Sequence, residues 1–283
     1  MSKRIIVTGG AGFIGYNLCK KLSEDKSNFI ISLDNYSTGD VSNHVDGVSY
    51  MDIDVSKDRI KSLIEGADVV FHLAALARIQ PSFRIPKEYF YNNVLSTLNL
   101  VEACVEYDIP MIFSGSSSHH SGKYKNPYTF SKEIGEEILV LYSKIFDLRQ
   151  STARFYNVYG PRQLETGGYE TVIGKWDKAR RDNTDIVIYG DGSKERDFTH
   201  VFDIVDGLIK IWEKSAYGHT FELGRGQKFS LKQVAEMYNK PDKVKYEDDK
   251  PGEAQMTLCD SSLAQEVLGW TPKLNLEDWI KNG

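Results

Sequence analysis

An apolar run at 4–7 leads into Thr8-Gly9-Gly10-Ala11-Gly12-Phe13-Ile14-Gly15, and an amphipathic stretch follows at once, with Ile14, Leu18 and Leu22 four residues apart. A strand, a glycine turn and a helix in direct succession leave few folds open. Glycine permits a tight turn and a close backbone approach. The helix start behind it offers free N–H groups and the positive end of its dipole to an anion. With a strand before it and a helix after it, the turn is expected to cradle a pyrophosphate on Gly9, Gly12, Phe13, Ile14 and Gly15. Such a ligand is a dinucleotide. Asp34 follows the next apolar run, at 29–33. A carboxylate there accepts hydrogen bonds from ribose hydroxyls and repels a 2′-phosphate, so the expected cofactor is NAD rather than NADP.

The first part of the chain continues in the same rhythm. Strand-like runs at 48–51, 69–73, 111–113 and 151–155 alternate with helical patterns at 59–64, 94–105 and 129–145. Strands alternating with helices predict an α/β fold with a doubly wound parallel sheet. After Gly160-Pro161 the texture changes, and 161–190 is polar with few regular runs. Shorter elements follow at 186–189, 203–213 and 220–223. The expected organisation is a Rossmann domain over 1–160 and a smaller mixed α/β lobe over 161–283, with segments exchanged between them.

Charge narrows the partners. The net charge of −5 supplies no basic excess for nucleic acid. No apolar run is long enough to span a bilayer, and the N-terminus has no signal-peptide pattern, so a cytoplasmic location is expected. Cys19, Cys104 and Cys259 are far apart and form no metal pattern. They read as buried thiols, and no metal is expected.

Tyr128 and Lys132 stand at i and i+4 near the start of the long helix, on one face. A phenol with a reference pKa of about 10 is a poor base near neutrality. A neighbouring ammonium favours the phenolate, so the pair can move a proton on an alcohol while hydride moves to nicotinamide. Just upstream, Ser114-Gly115-Ser116-Ser117-Ser118 closes the fifth predicted strand, where a hydroxyl can meet the reacting oxygen.

With these residues in view, the chain resembles the extended short-chain dehydrogenases/reductases of the NAD-dependent sugar epimerase/dehydratase family. The resemblance covers nearly the whole length. Its landmarks are the glycine turn, Asp34-Asn35-Tyr36-Ser37-Thr38-Gly39, His72-Leu73-Ala74-Ala75, Asn92-Asn93-Val94, Tyr128 with Lys132, the run from Arg154 to Arg162, Gly190-Asp191-Gly192-Ser193 and Arg196-Asp197-Phe198. It implies that Asn35, Ser37, Thr38 and Gly39 join Asp34 on the cofactor, and that Asp52 and Ile53 hold adenine. Leu73, Ala74 and Ala75 would line the pyrophosphate, with Asn93 and Tyr156 at the nicotinamide. The catalytic hydroxyl aligns with Ser117 counted back from Gly122, and with Ser116 counted forward from the strand. Asn157 and Arg196 would meet the diphosphate of a nucleotide sugar, with Lys250 as the second cation. His119 and Thr257 would border the sugar. Relatives commonly form homodimers through helices near 91–107 and 129–147.

Sugar 4,6-dehydratases of this family carry acidic residues at the serine position, and decarboxylases carry Thr-Ser-Glu. Here the stretch is Ser117-Ser118-His119, which leaves elimination without its proton carriers. The resemblance therefore implies a 4-epimerase of a UDP-hexose, of the UDP-glucose/UDP-galactose type, working through a transient 4-keto sugar. A 4-ketoreductase and a 4,6-dehydratase of the same family are the alternatives, and a catalytically silent NAD sensor is the alternative of another class.

Overall fold

The computed structural model describes residues 2–282. The first half runs β1 (Arg4–Thr8), α1 (Phe13–Leu22), β2 (Phe29–Asp34), β3 (Val48–Asp52), α2 (Lys61–Ile64) and β4 (Val69–His72). Then come α3 (Ile79–Arg84), α4 (Pro86–Tyr89), a π-helical turn (Phe90–Leu95), α5 (Ser96–Glu106), β5 (Met111–Ser116), α6 (Pro127–Phe146), β6 (Gln150–Phe155) and β7 (Val158–Tyr159). The remainder is α7 (Val172–Arg181), β8 (Ile186–Tyr189), β9 (Glu195–Asp197), β10 (Thr199–His200), α8 (Val201–Glu213), β11 (Thr220–Leu223), β12 (Lys228–Ser230), α9 (Leu231–Met237), β13 (Val244–Glu247), α10 (Ser262–Leu268) and α11 (Leu276–Asn282).

Seven strands form one parallel sheet in the order β11-β6-β5-β4-β1-β2-β3. Ile5, Ile6 and Val7 of β1 are fully buried, as expected of a strand covered on both faces. One face packs on α1, α8 and α10 through Leu18, Ile204, Leu208 and Leu268. The other packs on α5 and α6 through Leu100, Val101 and Leu139. The strand order reverses between β1 and β4. A crevice opens there, at the carboxyl ends of the strands, where α/β sheets bind their ligands.

The chain after 160 serves two structures. Edge strand β11 and helices α8 and α10 complete the Rossmann layers. A separate core of Trp176, Ile186, Ile188, Tyr238 and Leu276 holds the lobe. The lobe's strands pair only in twos: β8 with β13, β9 with β12 and β7 with β10. The stretch 161–190, which reads as irregular, contains α7. Its apolar face is narrow, only Ile173, Trp176 and Ala179 among charged residues, and Thr171 caps it by accepting the Gly174 N–H at 2.8 Å. Helix α6 starts at Pro127, two residues before the predicted position, with Asn126 accepting the Thr129 N–H at 2.8 Å. That cap brings Tyr128 into the first turn and Lys132 into the second.

Candidate active site

A cavity of about 520 Å³ runs along the carboxyl ends of the strands and under the lobe. Its first wall is the glycine turn. Gly9 has φ +73°, and a Cβ on it would stand 2.8 Å from the Ala74 nitrogen; a Cβ on Gly15 would collide with the Gly9 carbonyl. The turn thus closes only with glycine at both places. No side chain caps α1, so its first N–H groups are left to a ligand. Gly9, Gly12, Phe13, Ile14 and Gly15 all line the cavity. These features suit a dinucleotide pyrophosphate.

Asp34 lines the same end. Its carboxylate accepts the Ala11 N–H and the Tyr36 N–H, each at 2.9 Å. Burial pushes its pKa up while those two backbone donors pull it down. Asn35, Ser37, Thr38 and Ile53 also reach the cavity, as do Leu73, Ala74 and Ala75. Gly39 packs instead against Ala11 and Asp34, and Asp52 lies exposed beside Asp34 across the β2–β3 ladder.

Two expected nicotinamide contacts fall elsewhere. Asn93 is buried, and its amide is spent on the Leu76 N–H (2.8 Å), the Leu76 carbonyl (3.1 Å) and the Ser131 hydroxyl (2.9 Å). It pins the loop after β4 to α6 and does not line the cavity; Asn92 and Ser96 do. Tyr156 points to the opposite side of its strand end, where its hydroxyl donates to Glu222 at 2.9 Å. Phe155, Asn157 and Val158 line the cavity in its place, Asn157 at the break between β6 and β7 with φ +32°.

The reacting groups meet at the centre. Tyr128 and Lys132 line the cavity together with Ser114, Ser116, Ser117 and Ser118. Burial holds the Tyr128 phenol above its usual pKa, against the Ser116 hydroxyl and the Arg78 guanidinium, both of which favour the phenolate. The Arg78 guanidinium, to which no sequence pattern points, thus bears on the phenol from the same cavity that Lys132 lines. Lys132 sits 4.3 Å from the Phe113 ring centroid, with its ammonium 3.4 Å from the Ser114 hydroxyl. Burial lowers its pKa to about 8, and the charge of Glu136 pulls the other way. Of the two candidate serines, the structure sets Ser116 beside the phenol.

His119 does not border the cavity. It pairs with Glu133 on α6, and His120 bonds Glu222 at 3.0 Å. Glu222 also belongs to a buried network in which Arg154 bridges it to Glu136. Both histidines thus stand outside the cavity, 37% and 52% exposed, on the Glu133 and Glu222 carboxylates.

At the far end, Asn157, Arg196, Lys250 and Thr257 line the cavity. Both amide N–H groups of Asn157 are taken, by the Asp197 carbonyl (2.8 Å) and the Thr257 hydroxyl (3.0 Å). Arg196 is 3.6 Å from Glu253, and the Lys250 ammonium lies 3.4 Å from the Tyr189 ring centroid. Lys194 and Lys175 add two further cations to this wall. Arg78 escapes sequence reasoning, and Ser118 is read there only as a member of the serine cluster. The one signal for Arg78 is its place just beyond the carboxyl end of β4, at the crevice.

A parallel sheet with this glycine turn, and a Tyr–Lys pair facing it, defines a dinucleotide-dependent Rossmann enzyme. The model of the NAD-dependent epimerase/dehydratase family matches residues 5–224, and the chain belongs to that family. It is 29% identical to the uncharacterized UDP-glucose epimerase YtcB of Bacillus subtilis, covering 99% of this chain and 96% of that one. Among solved structures, UDP-glucose 4-epimerase of Thermotoga maritima with UDP-glucose superposes with a TM-score of 0.93 at 28% identity, over 98% of this chain and 96% of the other. UDP-glucuronic acid 4-epimerase of Bacillus cereus, in complex with UDP-glucuronic acid and NAD, superposes at 0.90 and 26% identity, over 98% and 96%. The cofactor is NAD. Among the described residues, no helix is long and apolar enough to cross a membrane.

Proposed function

We propose that the chain is a nucleotide-sugar 4-epimerase acting on a UDP-hexose. One observation carries this reading. From the end of β5 and the loop after it, facing Tyr128, the cavity takes Ser116, Ser117, Ser118 and Ser121, and no carboxylate. That set can hold an oxygen and move one proton, but it has no acid and base pair for elimination. NAD, when bound, supplies the hydride acceptor and donor.

Tyr128 takes the proton of the sugar 4-hydroxyl and later returns it. The Ser116 hydroxyl hydrogen-bonds the same oxygen, and Arg78 favours the phenolate. Lys132, whose buried ammonium titrates near pH 8, holds the ribose next to the nicotinamide. Arg196 and Lys250 receive the diphosphate, with Thr257 holding Asn157 in place beneath it. The sugar turns as a 4-keto intermediate and is reduced on its other face. The resemblance favours the UDP-glucose/UDP-galactose pair within the UDP-hexoses.

Replacing Tyr128 with Phe should lower turnover about 10³-fold while NAD stays bound. The assay is conversion of a panel of UDP-hexoses, UDP-galactose and UDP-glucuronate included. Unchanged turnover removes Tyr128 as the base. Stoichiometric consumption of NADH on a 4-keto sugar identifies a ketoreductase instead. We further propose a homodimer through α5 and α6. Val140, Leu141 and Ile145 of α6 are 46%, 54% and 63% exposed, an apolar face on a helix otherwise packed on the sheet. Light scattering on the purified protein tests it, and a monomer at micromolar concentration refutes it.

A further inference from the structure

Arg78 is a cation of the cavity that neither the glycine turn nor the diphosphate wall accounts for. Its hydrogen bonds all go to main-chain carbonyls: Nε to Tyr169 at 2.9 Å and Glu170 at 3.1 Å, Nη1 to Ala77 at 2.9 Å. They fix the guanidinium without neutralising it; the Glu170 and Glu253 carboxylates of the same cavity bear on it but form no ion pair with it. Its own carbonyl accepts the Tyr89 hydroxyl at 2.7 Å, and the Tyr89 ring packs edge-on against the Tyr128 ring with centroids 6.2 Å apart. The guanidinium lines the same cavity as the proposed base, and its charge bears on the Tyr128 phenol.

Ser118 makes an independent observation. It is 8% exposed and lines the same cavity, and its hydroxyl, closed off from solvent, has no hydrogen-bond partner. An unsatisfied buried hydroxyl is costly unless something supplies an acceptor.

The chemistry of a hexose says which acceptor fits. The diphosphate hangs on C1, across the ring from C4, and Arg196, Lys194 and Lys250 of the lobe stand ready for it. The exocyclic C6 is carried by C5, the direct neighbour of C4. A group that bears on Tyr128 therefore faces the C4–C6 side of the sugar. We propose that Arg78 and the Ser118 hydroxyl receive a carboxylate at C6, so that the preferred substrate is a nucleotide hexuronate. The inference rests on the epimerase reading above and puts a hexuronate in place of the UDP-glucose/UDP-galactose pair that the resemblance favours. Guanidinium and carboxylate match as a planar fork, and the serine hydroxyl adds a third donor.

The test compares UDP-glucuronate with UDP-galactose on the NAD-loaded protein. The wild type should favour the uronate in kcat/KM. Arg78→Gln should lower the uronate-to-neutral ratio about 30-fold, and Arg78→Lys should restore part of it. The ratio matters because the influence of Arg78 on the Tyr128 phenol touches both sugars alike. A wild type that prefers the neutral sugar, or an Arg78→Gln variant with an unchanged ratio, overturns the proposal. Calorimetric titration of the NAD-loaded Tyr128→Phe variant with UDP-glucuronate and UDP-glucose gives a second reading without turnover. Tighter uronate binding supports the carboxylate site, and equal affinities refute it. This holds where Arg78→Gln fails to fold, and where no UDP-hexose is turned over and the epimerase reading itself falls.

Discussion

The two ends of the cavity are built by different means. At the cofactor end the backbone makes the site: a turn that closes only with glycine, the open start of α1, and an Asp34 carboxylate that braces the turn through the Ala11 and Tyr36 N–H groups. At the substrate end long side chains make it. Arg196 stands on β9, Lys175 on α7, and Lys194 and Lys250 on the loops before β9 and after β13, each near an acid or an aromatic ring: Glu253, Asp249 or Tyr189. A backbone site is stiff and tied to one ligand shape. A side-chain site can change its ligand by single substitutions while the scaffold stays, so specificity is expected to sit at the lobe and at the loop after β4.

Gly15→Ala tests the first half of that contrast most severely. The added methyl runs into the Gly9 carbonyl, and the turn must open. NAD affinity should fall at least 100-fold, about 3 kcal/mol, measured by titration of the purified apoprotein. Wild-type affinity would mean that the turn is not the cradle. Arg196→Ala tests the second half. It removes a charge-assisted bond to the diphosphate, so UDP-hexose binding should weaken about 30-fold, with NAD affinity within twofold of wild type. A parallel loss of NAD would break the division between the ends.

The same division decides what was legible in the sequence. The glycine turn, Asp34 and the Tyr128–Lys132 pair are local patterns, fixed by spacing along one strand or helix, and all of them reach the cavity. Asn93, Tyr156 and His119 fail because their side chains are claimed by residues far along the chain: Leu76 and Ser131, Glu222, and Glu133. Ser116 and Ser117 differ by one residue at a strand end and both line the cavity; only Ser116 bears on the Tyr128 phenol, a relation between β5 and α6 that no local pattern shows. Arg78 is invisible because the carbonyls that hold it lie 91 and 92 residues away. The polar α7 hid behind a narrow apolar face.

A milder change probes the cofactor end through charge alone. Asp34→Asn keeps the shape and one acceptor but drops the negative charge that a 2′-phosphate would meet. The preference for NAD over NADP should shrink about tenfold, read as the ratio of the two binding constants. An unchanged ratio would shift discrimination to Asn35, Ser37 or Thr38, which line the same end.

The smallest effect concerns acid. His72, at the end of β4, has Nδ1 2.8 Å from the Thr8 hydroxyl and Nε2 3.1 Å from the Thr97 hydroxyl. The Thr97 hydroxyl already donates to the Asn93 carbonyl at 2.7 Å, so Nε2 carries a proton and donates it to Thr97, and burial favours the neutral ring. Burial pushes the His72 pKa from 6.5 down to about 3, and that of His200, at the junction with the lobe, down to about 4. The unfolded chain therefore takes up each proton before the folded one does. The stability each contributes is whole above pH 6.5 and is lost as pH falls toward the folded values. One such group costs about 2 kcal/mol between pH 6.5 and 5, a drop in Tm of about 4 °C. His72→Gln should be less stable than wild type at pH 7.5 and should lose less on acidification, keeping only the share of His200. Thermal melts of both proteins across that range decide it. A variant with the wild-type acid slope would relocate the sensitivity from the sheet to the lobe junction, the reverse of what a rigid cofactor end predicts.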